Sequence, residues 1–188
     1  MAITINGSGT ITGVSAGGLP DGCVDADTLA SGVGGKVLQV VSTTKTDIFS
    51  LTGTTTFTDI TGLSVSITPS STSSKILVFG NVYTSISVIS NTVATRLVRG
   101  STAIGGGTPE GNRQSAIAGT RGFTDSYFNH GFNYLDSPST TSATTYKIQM
   151  IARTGATGYV NRTGTNENDA QAYSVRPSST ITVMEIAG

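Results

Sequence analysis

The sequence predicts an all-β protein in which a glycine-rich, extended N-terminal segment precedes an antiparallel, jelly-roll-like β-sandwich. Residues 75–83 carry six large apolar side chains in nine positions, which is typical of a strand buried on both faces at the centre of a core. Residues 179–186 alternate in polarity and predict a terminal strand that pairs with this central strand. Strand-like segments also recur at spacings of about ten residues between turns of Gly, Ser and Thr, as in a sandwich or jelly roll.

Further strand-like segments lie on both sides of the central strand. Residues 91–100 follow it and are expected to return antiparallel to it, whereas residues 101–115 are expected to form a glycine-rich loop. The other predicted strands are residues 37–41, 47–51, 55–60, 63–67, 123–135 and 144–153. The apolar residues expected in the core are Ile76, Val78, Val82, Ile148, Ile181 and Val183.

The first 35 residues differ in composition from the rest and divide the chain into a segment, 1–35, and a domain, 36–188. The segment holds nine of the 24 glycines and no aromatic residue, so it cannot bury enough apolar surface to offset an ordering cost of about 1–2 kcal/mol per residue. Alternation at residues 3–5 and 10–12 favours short strands, and Asp25 can cap a short helix at residues 25–30. We expect this segment either to be disordered or to be ordered only by other protein chains.

Charge and cysteine content exclude several classes of function. Charged residues make up 12% of the chain and balance to a net charge of zero, so no basic surface is available to bind nucleic acid or an anionic membrane. Cys23 is the only cysteine and His130 the only histidine, which excludes an internal disulfide and a zinc site built from these residue types. No stretch has the character of a signal peptide or the length of a membrane span. We therefore expect a protein that is made in the cytoplasm, does not insert into a membrane, and either stays soluble there or leaves by cell lysis.

Three titratable residues, Asp125, His130 and Asp136, are close enough in sequence to suggest acid–base catalysis. Strand alternation, however, places Asp125 and His130 on opposite faces, and Asp136 falls in a predicted turn. The glycines at 105–107 are not followed by the Lys and Ser or Thr of a phosphate-binding loop. We therefore expect neither an enzyme nor a cofactor, and we assign no catalytic, cofactor-binding or metal-binding residue.

Other groups have a structural explanation beside a functional one. Asp21, Asp25 and Asp27 could suggest calcium binding, but their spacing lacks the bidentate Glu and central Gly of a calcium loop. Asn161 begins an Asn-Arg-Thr glycosylation pattern, which has no meaning without a secretory signal. An aromatic cluster is either a carbohydrate-stacking platform or part of a core or interface, and it consists of Tyr127, Phe128, Phe132 and Tyr134.

Several segments of the chain resemble one family of proteins. They are residues 5–11 (INGSGTI), 17–22 (GGLPDG), 27–30 (DTLA), 35–41 (GKVLQVV), 57–69 (FTDITGLSVSITP), 74–78 (SKILV) and 179–186 (STITVMEI). Together they are similar to the fibre and other virion structural proteins of marine bacteriophages, cyanophages above all. The resemblance spans most of the chain and is weakest at residues 101–133.

The resemblance implies a homotrimer that is made in the host cytoplasm and becomes part of the virion. Its N-terminal segment would bind other phage virion proteins, and its C-terminal β-domain, similar to trimeric jelly rolls, would be displayed outward. The small aliphatic residues expected to make the virion attachment are Ile3, Ile5, Ile11, Val14 and Leu19. The aromatic residues expected at the trimer interface are Tyr83, Phe132 and Tyr146.

Three functions remain open at this point. The first is a trimeric tail fibre anchored by its N-terminus and used for host attachment. The second is a capsid decoration protein or a short capsid fibre. The third is an adhesin domain that binds a host surface glycan, which predicts exposed aromatic residues in the loops at 101–122 or 154–177, where sequence is freest to vary.

Overall fold

A computed structural model describes residues 36–122, 124–165 and 175–188, together with the two short strands Thr4–Ile5 (β1) and Ile11–Thr12 (β2). The chain divides into two compact units, Met1–Lys36 and Val37–Gly188. In the first unit β1 and β2 pair antiparallel with Ile5 opposite Ile11, which confirms the two predicted short strands. The helix predicted at residues 25–30 lies outside the described residues. The described part of the chain contains strands and turns but no helix.

The unit Val37–Gly188 is a β-sandwich, as predicted. Its strands in chain order are β3 Val37–Lys45, β4 Phe49–Thr52, β5 Thr58–Ile67, β6 Lys75–Ile86, β7 Thr92–Arg99, β8 Thr102–Ile104, β9 Ala118–Arg121, β10 Phe128–Asp136, β11 Thr144–Ala152, β12 Thr157–Val160 and β13 Ser179–Ile186. All of their pairings are antiparallel.

The first sheet is built on β6. One side of β6 pairs along its length with β13 and then with β12, and these two strands pair in turn with β3 and β4. The other side of β6 pairs with β10. The terminal strand is therefore the neighbour of the central strand, as its alternation predicted.

The second sheet has the order β5-β11-β7-β8, and β9 pairs with β7 beside β8. Successive parts of the chain alternate between the sheets: β3 and β4 lie in the first, β5 in the second, β6 in the first, β7 to β9 in the second, β10 in the first, β11 in the second and β13 in the first. Two four-strand-wide antiparallel sheets connected in this way form a jelly roll.

The core lies between the two sheets and contains all six residues predicted for it. Ile76, Val78, Val82, Ile148, Ile181 and Val183 are each 0% exposed. Register produces this burial, since Val41, Val183, Val78 and Tyr134 are directly opposite one another across four strands and all face inward. A shift of one residue in any of these strands would turn its apolar side chains outward.

The central strand is buried on one face, not on two as predicted. Its alternate residues Leu77 and Phe79 are only half-buried, because the second sheet covers the inner face alone. The prediction that residues 91–100 return beside this strand was also wrong. β7 lies in the second sheet and pairs with β11, β8 and β9, because the turn at 87–91 crosses from one sheet to the other.

Two predicted strands, 55–60 and 63–67, form a single strand with a bulge. In the register of β5 against β11, Ser64 lies opposite Lys147 and Asp59 lies opposite Gln149. Gly62 provides the left-handed backbone that this irregularity needs, with φ at 84°. The bulge allows both Ile60 and Leu63 to face the core although they are three residues apart. In addition, the predicted loop at 101–115 contains the short strand β8, and the strand predicted at 123–135 begins only at Phe128.

The two ends of the sandwich differ in what they carry. One end of the sandwich carries the first residues of β3 and β6 and the last residue of β13, because Ile186 pairs with both Val37 and Lys75. The opposite end carries the turns at 87–91 and 153–156 and the loops at 53–57 and 122–127. Backbone hydrogen bonds connect them there, from Gly53 to Ala156, from Ser87 to Thr157 and from Ser90 to Gly122. The chain therefore enters the sandwich at the end where it also terminates, and these four loops lie at the far end.

Glu185 is a fully buried carboxylate near the end where the chain terminates. It accepts hydrogen bonds from Gln39 Nε2 at 2.6 Å and from the backbone N–H and the hydroxyl of Ser70, each at 2.7 Å. Burial by itself raises the pKa of Glu185, but these donors favour the ionised form and lower the pKa to about 2. The carboxylate consequently ties β13 to β3 and to the β5–β6 turn.

We expect Glu185 to make stability depend on pH between its ordinary pKa of 4.5 and about 2. Its contribution is fully present above pH 4.5 and is lost as the pH falls through this window, because the unfolded chain takes up the proton first. Glu185→Gln should lower the free energy of unfolding at pH 7. Between pH 4.5 and 2 the free energy of unfolding of this variant should fall less steeply than that of the wild type. Urea denaturation at a series of pH values measures both effects.

The matched control is Glu110→Gln, because the side chain of Glu110 is 82% exposed and pairs with Arg113, which is 79% exposed. This variant should follow the wild type at every pH. Equal pH slopes for Glu185→Gln and the wild type would contradict the role of Glu185.

Candidate interaction surface

The three titratable residues that suggested catalysis are not brought together. His130 and Asp136 both face inward from β10 but are six residues apart, which is about 20 Å along a strand. Asp125 is exposed in the loop before β10. The interpretation of Asp136 as a turn residue was wrong, because it is the last residue of β10 and is buried.

His130 joins the two sheets. Its Nδ1 lies 2.9 Å from the hydroxyl of Thr95, and its Nε2 lies 2.8 Å from that of Thr120 and 3.3 Å from that of Thr84. Thr84 belongs to β6, while Thr95 and Thr120 belong to the second sheet. Burial lowers the pKa of His130 to about 4, so the imidazole is neutral at pH 7 and its partners are neutral hydroxyls. These contacts hold the edge strand β10 against the second sheet.

Asp136 also connects the sheets. Both of its carboxylate oxygens accept hydrogen bonds from Arg99 Nη1 at 2.9 Å, and Oδ2 accepts a further one from the Tyr146 hydroxyl at 2.7 Å. Burial, followed by the hydrogen bond to Asp136, raises the pKa of Tyr146 well above its ordinary value. Every group in this cluster is engaged in holding β10 to β7 and β11.

The remaining candidates from the sequence have structural surroundings. The Asn161 amide is fully buried and donates to the backbone oxygens of Lys45 and Asp47 at 2.8 and 3.0 Å, so it is not available as a glycosylation acceptor. Gly105 packs against the ring of Tyr134 with φ at 67°. Asp21, Asp25 and Asp27 lie outside the described residues. Among the residues that are described, no three His, Cys, Asp or Glu side chains are grouped as metal ligands, and no helix is long and apolar enough to cross a membrane.

The aromatic residues predicted for the trimer interface occupy three different environments. Tyr146 is fully buried between the two sheets of one chain, so its side chain packs inside the subunit. Phe132 faces inward from β10 and packs against the core. Tyr83 is half-buried and faces outward from β6. Of the aromatic cluster, Tyr134 packs on the core as well, and the Tyr127 hydroxyl donates to the backbone oxygen of Val175.

The outer side of the first sheet has no covering layer among the described residues of the sandwich. We call it the open face and define it by the outward residues of β3, β6, β10 and β13. These include Val40, Ser42, Thr44, Lys75, Leu77, Phe79, Asn81, Tyr83, Asn129, Gly131, Asn133, Leu135, Thr180, Thr182, Met184 and Ile186. Lys75 is the one charged side chain among them. It lies at the end of the face where β6 begins, and its Nζ donates to the hydroxyl of Ser137 at 2.9 Å.

Four residues of the open face form an apolar row across the sheet. Val40 is opposite Met184, Met184 is opposite Leu77, and Leu77 is opposite Leu135. The two ends of the row are well exposed, Val40 at 54% and Leu135 at 56%. Monomeric soluble proteins rarely expose a contiguous apolar strip of this kind unless it is a site of interaction.

The outer side of the second sheet has the opposite character. Asp59 accepts hydrogen bonds from Lys147 Nζ at 2.7 Å and from Gln149 Nε2 at 2.6 Å, and Arg96 Nε donates to Gln149 Oε1 at 2.7 Å. The hydrogen bond from Lys147 lowers the pKa of Asp59, which stays ionised. This face therefore carries paired charges suited to water, whereas the open face, among its described residues, has no ion pair and one charged side chain, Lys75.

The loops offer less to a ligand than the open face does. Among the described residues of the loops at 101–122 and 154–177, the one aromatic side chain is Tyr159, which is half-buried with the Arg162 guanidinium 3.9 Å from its ring centroid. A groove of about 340 Å³ lies beside Gly100 and Pro138. Its one charged lining residue, Arg99, is already paired with Asp136.

Sequence reasoning missed the open face, although part of the signal was present. Segment 37–41 is apolar on both sides, and the alternation of 179–186 ends with Met184 and Ile186 on the otherwise polar side. A strand with one face in water would not require these apolar residues. Of the predicted attachment residues, Ile5 and Ile11 pair across β1 and β2, and Ile3, Val14 and Leu19 lie outside the described residues. Virion attachment by these five residues stays a prediction.

The fold and this surface define a class of protein: a jelly-roll sandwich with one outer face of paired charges and one outer face that is poor in charge and partly apolar. No family model matches the chain, and no curated protein matches it.

The solved structures that are similar include those of infectious bursal disease virus. The Gt strain has 16% identity and a TM-score of 0.42 over 79% of this chain and 38% of that chain. The Gx strain has 14% identity and a TM-score of 0.43 over 79% and 37%, respectively. The VP2 subviral particle has 14% identity and a TM-score of 0.39 over 79% and 38%. This chain spans less than two fifths of the length of each of these chains.

Proposed function

We propose that the chain is a non-enzymatic structural protein of a bacteriophage virion. In this proposal it forms a trimeric fibre that residues 1–35 anchor to other virion proteins, and its β-sandwich is displayed for attachment to the host. The single observation that carries the proposal is the open face. A surface that is apolar in part and carries one charged side chain, Lys75 at its end, is suited to another protein subunit and poorly suited to water.

The energetic argument for association comes from the apolar row. Removing apolar surface from water contributes about 25 cal/mol per Å², and the row presents its most exposed side chains together on one flat sheet. A partner that covers the apolar row and the middle of the open face has no charge to desolvate there, because the one charged side chain of the face, Lys75, lies at the end where β6 begins. A chain with only 12% charged residues also has little electrostatic repulsion to keep its copies apart.

The polarity of the sandwich supports anchoring by one end. The chain enters β3 at the end where β13 finishes, so a segment that precedes residue 37 joins the domain there. The far end carries four loops, and loops held on a rigid sandwich are the usual place for recognition. This arrangement suits a domain held at its base and displayed to the host at its tip.

The absence of enzymatic activity is part of the same proposal. His130, Asp136 and Glu185 have the polar character that catalysis needs, but each is buried and hydrogen-bonded to its neighbours. Their contacts join strands and leave no free group beside a cavity. This supports a structural role for the titratable residues of the described sandwich.

We expect the wild-type protein to be a trimer in solution and Leu135→Asp to be largely monomeric. The carboxylate would be placed at the exposed end of the apolar row, where burial against another subunit leaves it without a partner. Native mass spectrometry and light scattering after size-exclusion chromatography measure the mass directly.

Ile89→Asp is the matched control. Ile89 is 57% exposed and Leu135 is 56% exposed, but Ile89 lies in the β6–β7 turn and not on the open face. This variant should remain a trimer. A monomeric wild-type protein at micromolar concentration would overturn the proposed trimeric fibre, and a trimeric Leu135→Asp variant would remove the open face from the interface.

A further inference from the structure

Gly131 occupies the middle of β10 and faces outward on the open face, directly opposite Asn81. A β-carbon added at this position would meet no atom within 4 Å, and the residue is not among those with positive φ. Glycine in the interior of a strand weakens it, because it loses more conformational entropy and has no side chain to pack. Nothing in the described part of a single chain therefore requires glycine at position 131.

The surroundings of Gly131 form a shallow notch in the open face. Asn129 and Asn133 stand exposed on either side of it along β10, and Asn81 stands across from it on β6. The exposed end of the apolar row, Leu135, lies four residues further along the same strand. The floor of the notch is bare backbone, and its walls are neutral amides that can both donate and accept hydrogen bonds.

We propose that a second copy of this chain packs on the open face with Gly131 as its point of closest approach. This inference rests on the proposed function, and it names the place where neighbouring subunits meet. The missing side chain allows a partner to approach the β10 backbone directly, which is a recognised reason for glycine within a strand.

Charge and continuity favour a second copy over other occupants. The open face offers a charged partner only Lys75, at the end where β6 begins and already hydrogen-bonded to Ser137, whereas the open face of another copy is equally poor in charge. The notch is continuous with the apolar row, which needs an apolar cover. A saccharide would stack on an exposed ring, but the nearest rings, Phe79 and Tyr83, are half-buried.

The test is Gly131→Val, with Gly131→Ala as a smaller step. A valine side chain at position 131 has open space in the single chain, and valine favours strands. We therefore expect the midpoint of thermal unfolding of the monomer to be unchanged or higher. It is measured at a dilution where the wild type is dissociated. The dissociation constant of the assembly should rise at least tenfold for valine and less for alanine. Sedimentation equilibrium over a dilution series measures this constant.

Gly107→Val is the matched control, because Gly107 is also exposed with no atom within 4 Å of an added β-carbon, but it lies in the loop after β8. It should associate like the wild type. If the wild type assembles and Gly131→Val assembles equally well, this inference fails while the proposed function stands. A monomeric wild type contradicts both. Unchanged assembly of Gly131→Val with loss of binding on a glycan array would show that the occupant is a saccharide and would also overturn the inference.

Discussion

Deleting residues 1–30 is expected to leave the β-sandwich folded and to abolish incorporation of the protein into particles. The described core belongs to the unit Val37–Gly188, which is a compact unit of its own, so the deletion removes no residue of the jelly roll. The deleted stretch contains Ile3, Ile5, Ile11, Val14 and Leu19, the residues predicted to bind other virion proteins. Copy number in purified particles, measured by quantitative mass spectrometry, gives the result, and circular dichroism of the truncated protein reports its fold.

Full-length protein with Ile89→Asp serves as the control, since it alters an exposed loop residue and leaves the N-terminal segment intact. It should enter particles at the wild-type copy number. If the truncated protein were incorporated normally, attachment would belong to the β-sandwich, and a capsid decoration protein would replace the fibre as the better description.

Ile148→Ala is expected to lower the free energy of unfolding by about 2–5 kcal/mol, the range measured for removing a large aliphatic side chain from a core. Ile148 is 0% exposed, and it lies opposite Leu97 on the inner face of the second sheet. Both sheets pack on this layer, so the cavity cannot close without moving one sheet toward the other. Urea denaturation at fixed protein concentration measures the loss, and the concentration matters because association also stabilises the fold.

Ile151→Ala on the same strand is the matched control. Ile151 faces outward and is half-buried, so the same truncation should cost less than about 1.5 kcal/mol. A loss within about 0.5 kcal/mol for Ile148→Ala would be too small for a core position and would contradict the assignment of β11 to the centre of the second sheet.

Local pattern was sufficient to predict the class of fold and the core. Alternation in residues 179–186 and the apolar density of residues 75–83 reflect which side chains face the other sheet, and this information is contained in neighbouring residues. The pairing of β13 with β6 and the burial of Ile181 and Val183 followed from it. The same kind of evidence could not place β7, because a turn that crosses between sheets and a turn that closes a hairpin use similar Gly, Ser and Asn residues.

The sequence by itself determined that this chain is all-β, that it is poor in charge, and that Ile76, Val78 and Ile148 belong to its core. Only the tertiary structure decided that Tyr146 packs within the subunit and that Val40, Leu77, Leu135 and Met184 align as one row. The physical reason is register. Each of these four residues is an ordinary apolar position in its own strand, and they become a surface only when hydrogen-bonded ladders between distant parts of the chain place them side by side.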